Sequence, residues 1–450
     1  MSVSKLLRAI FPSKIRSKEI ITLSSPIIMG MLSINIIGVV DTMMIGVLGD
    51  RSLAAVGFGS FLFWCLIAIL TGLGAANQTL TARYLGENKL NQLGLPLTSS
   101  LLIVTPVAIC FTLLCLTFSP NILSLFSKDS LTIQVGINYF NWRVLGLVAV
   151  GWSICFRGFW NGVKEPKVYL MILLSAHAFN IFLNWILIYG NLGFPELSEV
   201  GAGIASSVSM TSAMIIYTII TWIKHHKNGF FSEWPKQKII KRMIKLAMPL
   251  SIEQLLFSSS HTCFMAIIGQ ISNQAAAIAN VVINIVLFLW LPGLGFGMAS
   301  LTLVSEAIGK KNIKDAENWA WDILKLASYI LIIVSGLLYI FPTPVLSLFL
   351  HNQDTLSKAI IPLRIDCVSL WFSILGVILM QSLIGAGAAK LIMKTTFVFE
   401  WLLFVPIMFI LQQMGYTLNI LWLGSACILG LKTITLIQIW KKGNWKNIQL

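Results

Sequence analysis

The chain has 450 residues, of which 57% are hydrophobic and only 11% charged, with a mean hydropathy of +0.84, against roughly 25% charged residues in soluble domains. That balance excludes an ordinary water-soluble fold. The formal charge of +15 does not make a nucleic-acid surface, because the lysines and arginines flank apolar runs in the manner of cytoplasmic membrane loops.

Apolar runs of about 20 residues, enough to cross a hydrocarbon core, recur at 20–47, 53–80, 94–118, 134–158, 167–190, 200–223, 243–269, 276–302, 321–341, 358–382, 391–414 and 418–439. Twelve transmembrane helices are expected in an all-α integral membrane fold, since a barrel would show short alternating segments instead. The basic start of the chain leads into the first run without a small-residue cleavage motif, so the first helix is read as uncleaved. Alternate loops collect nearly all Lys and Arg, whereas the other side holds only Arg51, Lys128 and Lys358. Both termini are therefore expected in the cytoplasm of a multi-pass plasma or inner membrane protein.

In chain order, the first polar residue that needs an explanation is Asp41, deep in INIIGVVDTMMIG. A charge at the bilayer centre costs at least about 2.5–3.5 kcal/mol, and an acid there can take a proton from one side and release it to the other. Arg157, toward the inner part of the fourth span, is the residue that would instead make Asp41 half of a structural ion pair. The fifth span reads LLSAHAFNIFLNWILIYG, with His177, Asn180 and Asn184 on one helical face. This stripe either serves Asp41, a cation or a guest, or only joins helices by hydrogen bonds.

The basic stretch 224–245 has the composition of a cytoplasmic linker, one that ties two lobes without needing to pack. After it, Glu253 follows Pro249 by one turn, and Phe257 and His261 continue its face. Glu253 and His261 are about 12 Å apart along the axis, beyond direct contact. Asn280, Asn284 and Gln381 are candidates for lining a substrate cavity, together with His177, His261 and Glu400, a further acid within the eleventh span. Asp366 is expected to pair with Arg364 near the outer surface. The glycine-rich GLGFG at 293–297 follows Pro292 with no strand before it, so it marks a bend or close helix packing instead of a dinucleotide loop. Phe61, Trp64, Trp152, Phe288 and Trp290 could face a cationic guest. The seven cysteines fall within the spans and form no C-x-x-C. No nucleophile–base constellation, phosphate loop or metal-spaced cluster appears, so neither catalysis, nor a metal, nor a cofactor is expected.

The sequence repeats itself at an offset of 223 residues. Pro26 maps onto Pro249, Gly46 onto Gly269, Gly72 onto Gly295, Gly86 onto Gly309, Gly162 onto Gly385 and Gly201 onto Gly424. The run 123–126 recurs at 346–349 in the same register. Six spans per repeat return the chain to its starting side, which makes the halves parallel, with an axis along the membrane normal and a central cavity between them. The expected organisation is a lobe at 1–223, the linker at 224–245 and a lobe at 246–450.

The segments SSPIIMGMLSINIIGVVDTMMIG, ARYLGENK, NGVKEP and the N-x-x-x-N of the fifth span, with the second-half counterparts AMPLSIEQLL, LVSEAIGKKN and LIGAGAAK, together resemble the multidrug and toxic compound extrusion (MATE) transporters over essentially the full length. The resemblance implies a proton- or sodium-driven antiporter of organic cations. It also implies that Asp41 matches the acid of a first-lobe coupling site, Tyr139 and Asn180 polar members of it, and Glu253 a second-lobe acid. Asn184 stands where members often carry Asp, which removes one titratable group. The expected function is a secondary active antiporter that exports organic, cationic and lipophilic compounds in exchange for H⁺ or Na⁺, working as a monomer in the bilayer. The rivals are a flippase for lipid-linked oligosaccharides and an intramembrane enzyme using Asp41 and His177.

Overall fold

The computed structural model describes residues 12–124, 126 and 129–448. Lys128, Leu125 of the repeated run, and the basic residues of the first eleven positions lie outside the described residues. Among those described, the secondary structure is entirely helical. The long helices, in chain order, are α1 (Lys14–Gly46), α2 (Asp50–Gly86), α3 (Gly94–Leu123), α4 (limbs Ser130–Leu145 and Leu147–Gly162), α5 (Pro166–Tyr189), α6 (Ser198–His225), α7 (Gln237–Gly269), α8 (Asn273–Gly309), α9 (Ile313–Ile340), α10 (Gln353–Gly385), α11 (Ala389–Gln413) and α12 (Leu418–Lys442). Ten of them are each long and apolar enough to cross a membrane, and the two limbs of α4, bent by 47°, qualify together. The twelfth, α7, is the most polar, because Glu253, Gln254, Ser258, Ser259, Ser260 and His261 interrupt its apolar run.

The repeat is visible in the helix boundaries. α1 and α7 are both 33 residues long and α2 and α8 both 37, and α1, α2, α4 and α5 begin 223 residues before α7, α8, α10 and α11. One difference is a break in symmetry: α4 turns at Gly146, whereas α10 runs unbroken. A side chain at Gly146 would press into Ser207 of α6, 2.8 Å from its Oγ, so the bend lies at a close approach of the two helices.

Two compact units are formed, one from Met29–Ser251 and the other from the chain up to Ile28 together with Ile252–Leu450. α1 and α7 each divide between units, close to Pro26 and Pro249, where a missing backbone N–H loosens the helix. The stretch after α6 belongs to the unit of Met29–Ser251, and here the expectation of a linker that need not pack is corrected. Phe230 is fully buried, with its ring 6.2 Å from Phe156, and the Phe231 N–H donates to Thr98 Oγ1 at 3.3 Å. The beginning of α7 also joins this unit, where Ser251 Oγ donates to the Ile69 carbonyl at 2.5 Å. A polar linker contains enough aromatic surface to be drawn into a core.

Within the same unit, α2 and the second limb of α4 approach closely. A Cβ at Gly158 would collide with the carbonyl oxygen of Gly74, and one at Gly162 would lie 2.9 Å from Thr81 Cβ. Small residues allow such approach in membranes, where dispersion contacts replace hydrophobic driving force. Gly158→Ala is expected to lower stability by about 1–3 kcal/mol through overpacking, read as a drop in the thermal midpoint of detergent-solubilised protein, with Gly57→Ala, which meets nothing within 4 Å, as the control. The GLGFG stretch resolves as packing: α8 is one continuous helix, with Gly293 against Ile374, Gly295 against Ile28 and Gly297 against Gln381.

Candidate functional site

Each unit holds one group of polar side chains around a buried or half-buried acid. In the unit of Met29–Ser251, α5 starts with Pro166 at its first turn and ends on Gly190 in the left-handed region at φ 70°. Between these stops, Asn180 and Asn184 are one turn apart and face α1. Asn184 Nδ2 donates to Asp41 Oδ1 at 2.7 Å. With its amide nitrogen toward the acid, Asn180 donates to the same oxygen at 3.1 Å and accepts from the Ser206 N–H at 3.2 Å. Both amides are nearly inaccessible, at 3% and 1% exposure, while Asp41 keeps partial access. Two donors on one carboxylate oxygen leave the other free to bind a cation.

The other first-lobe candidates divide. Tyr139 is buried beside α2, its hydroxyl 3.1 Å from Ser60 Oγ, and makes no bond to the acid. His177 shares the face of Asn180 but is one turn removed from Asp41, buried, with neither ring nitrogen hydrogen-bonded. Arg157 is not the partner of Asp41, because it hydrogen-bonds Tyr169 on α5. The cation whose charge acts on Asp41 is Arg143 of α4, with its guanidinium 4.7 Å above the Phe63 ring.

In the other unit, α7, α11 and α12 supply the group. Glu253 is 6% exposed and its Oε1 accepts from Thr396 Oγ1 at 3.2 Å. Glu400 lies in a π-helical segment, Phe397–Phe404, whose wider winding ends beside Pro406; such segments recur at functional positions. Its two oxygens are both engaged: Lys432 Nζ donates to Oε1 at 2.8 Å and Ser260 Oγ to Oε2 at 2.9 Å. His261 is exposed, with its ring 4.5 Å from that of Phe257. Asn280 and Asn284 are exposed and bonded to each other at 2.6 Å, one turn apart on α8, and no hydrogen bond joins them to Glu253 or Glu400. Gln381 is half-buried against Gly297.

The expected Asp366–Arg364 pair is not formed. Asp366 accepts from Trp422 Nε1 at 2.8 Å, while Arg364 Nε donates to the Tyr339 carbonyl at 3.2 Å. Residues two apart on a helix point to different sides, and each finds an aromatic neighbour instead. Of the aromatic candidates, Trp152 is tied to Thr105 Oγ1 at 2.8 Å, Trp290 stacks on Phe257, and Phe61, Trp64 and Phe288 are exposed. Lys432, Ser260 and Thr396 escaped the sequence reading. The signal for Lys432 is present in the sequence as a lone charge inside the apolar ILGLKTITLIQIW.

A family model described as MatE matches residues 26–186 and again 249–425, two segments whose starts are separated by the 223-residue offset of the internal repeat. The chain belongs to the MatE family. Both acids and the amides around Asp41 fall inside the MatE matches, whereas Lys432 lies beyond the second. The chain is 24% identical over 405 residues to the probable multidrug resistance protein NorM of Mannheimia succiniciproducens, covering 89% of this chain and 87% of that one. It is 23% identical to the multidrug resistance protein NorM of Photobacterium profundum, with 94% of each covered. Its fold is that of a multidrug resistance MATE family transporter of the MOP superfamily solved in an outward-facing conformation, with a TM-score of 0.88 at 21% identity and coverage of 96% and 97%.

Proposed function

We propose that the chain is a secondary active exporter that moves organic, cationic and lipophilic compounds outward in exchange for H⁺ or Na⁺. Asp41, held by Asn180 and Asn184, is the observation that carries this reading. An acid within an apolar helix of a membrane protein, five residues before the helix ends, with amide donors and one oxygen open, is suited to reversible cation binding and is costly if it serves only packing. A cation bound in one of two conformations better than the other shifts the balance between them, and exchange for substrate then follows. The names of the NorM relatives support drug export over flipping of lipid-linked anions. The second intramembrane base, Lys432, does not favour the flippase, because Glu400 neutralises it.

In this reading both termini face the cytoplasm of the plasma or inner membrane, and a monomer suffices. Glu253 is the coupling acid of the second lobe. The amides Asn280, Asn284 and Gln381, with His177 and His261, contact substrate. In everted membrane vesicles, uptake of a fluorescent organic cation is expected to follow an imposed proton or sodium gradient without ATP and to stop when an ionophore collapses that gradient. Uptake that persists without any gradient, or uptake absent for every organic cation offered, would remove the exporter reading.

A further inference from the structure

The acid cluster of the unit containing Ile252–Leu450 carries its own counter-cation. Glu253, Phe257 and Ser260 share one face of α7, and α11 brings Glu400 to it while α12 brings Lys432. The Lys432–Glu400 pair is well enclosed, with each side chain 11% exposed, and both oxygens of Glu400 are taken, by Lys432 and Ser260. The ammonium lies 5.9 Å from the centre of the Phe257 ring, which stacks on Trp290, so its surroundings are those of a bound cation. The titratable groups of this cluster are Glu253 and His261 from α7, Glu400 from α11 and Lys432 from α12.

Two carboxylates against one ammonium leave a single negative charge, and Glu253 is the acid without a basic partner at bonding distance. A proton needs one carboxylate oxygen. A sodium ion, a hard cation, needs several oxygen ligands, and the oxygens of Glu400 are already committed to Lys432 and Ser260. A second cation would also be repelled by the ammonium at short range in a medium of low dielectric constant.

We infer that Lys432 determines the ion selectivity of this cluster: its ammonium occupies the place of a metal cation beside Glu400, so the cluster takes up a proton at Glu253 and excludes Na⁺. This rests on the reading of the chain as an ion-coupled exporter and names the ion for one of its two acids. It also gives a role to a residue outside the segments matched by the family model.

The test uses the full-length protein in lipid nanodiscs and needs no transported substrate, so a failure of drug export and a failure of this inference read out separately. Protonated Glu253 is labelled with a hydrophobic carbodiimide and quantified by mass spectrometry, with and without NaCl against choline chloride. In wild type, labelling is expected to be indifferent to Na⁺. In Lys432→Met, Na⁺ is expected to suppress labelling at least about tenfold, and saturable binding of radioactive sodium appears, lost again on adding Glu253→Gln. Lys432→Arg, which keeps the charge, is expected to behave as wild type. Suppression of Glu253 labelling by Na⁺ in the wild type overturns the inference whether or not Lys432→Met folds. So does a folded Lys432→Met protein that binds Na⁺ no better than wild type.

Discussion

Replacing Asp41 by Asn is expected to uncouple the transporter from its ion gradient. The asparagine is nearly isosteric, so α1 and α5 still pack, yet the side chain no longer binds and releases a cation. Couplings between two ligands typically change affinities by roughly 5- to 150-fold, and loss of that factor should appear as gradient-driven export falling toward the level of empty liposomes while substrate binding by the purified protein persists. Asn184→Ala should have a smaller effect in the same direction, because it removes the 2.7 Å donor to the acid but not the acid. Full gradient-driven export by Asp41→Asn would show that the first acid is structural.

Lys432→Ala is expected to be the most destabilising substitution in the second unit. It leaves Glu400 buried with its charge unmatched, and breaking a buried pair from one side costs about 3–5 kcal/mol. The double variant Lys432→Ala/Glu400→Gln should recover most of that loss, since the neutral amide still accepts from Ser260 Oγ and carries no charge to desolvate. Thermal denaturation in detergent, without Na⁺, distinguishes the two. Equal destabilisation by single and double variants would mean that packing by the lysine stem, not its charge, holds α12 against α11.

How much of this was legible in the sequence depends on the range of the interaction. The 223-residue repeat was legible because glycines and prolines mark helix ends and crossings, and these recur at fixed spacing in both halves. The approach of Asn180 and Asn184 to one partner was legible as a stripe, since helical period places residues four apart together. The division of α1 and α7 between two compact units was not, because a proline within an apolar run does not reveal which neighbours flank it on either side. Nor was the bend at Gly146, which lies against Ser207, a residue distant in sequence.

The second acid cluster was the hardest to read. Glu253 and Glu400 stood out singly, but the π-helical winding at 397–404 shifts the face on which Glu400 emerges, so a regular helical wheel misplaces it. Lys432 stands close in sequence to the lysines at 441, 442 and 446, although the residues immediately around it are apolar. Charged residues within such runs mark pathways or pairs more often than surface, and that rule applied to α12 as it did to α1.

The central claim, ion-coupled export using these acids, is tested most directly in proteoliposomes by recording ion movement on addition of an organic cation, under opposed H⁺ and Na⁺ gradients, for wild type, Asp41→Asn and Glu253→Gln. The account predicts substrate-induced movement of ions in wild type and its loss in at least one of the two variants. Movement unchanged in both would contradict it.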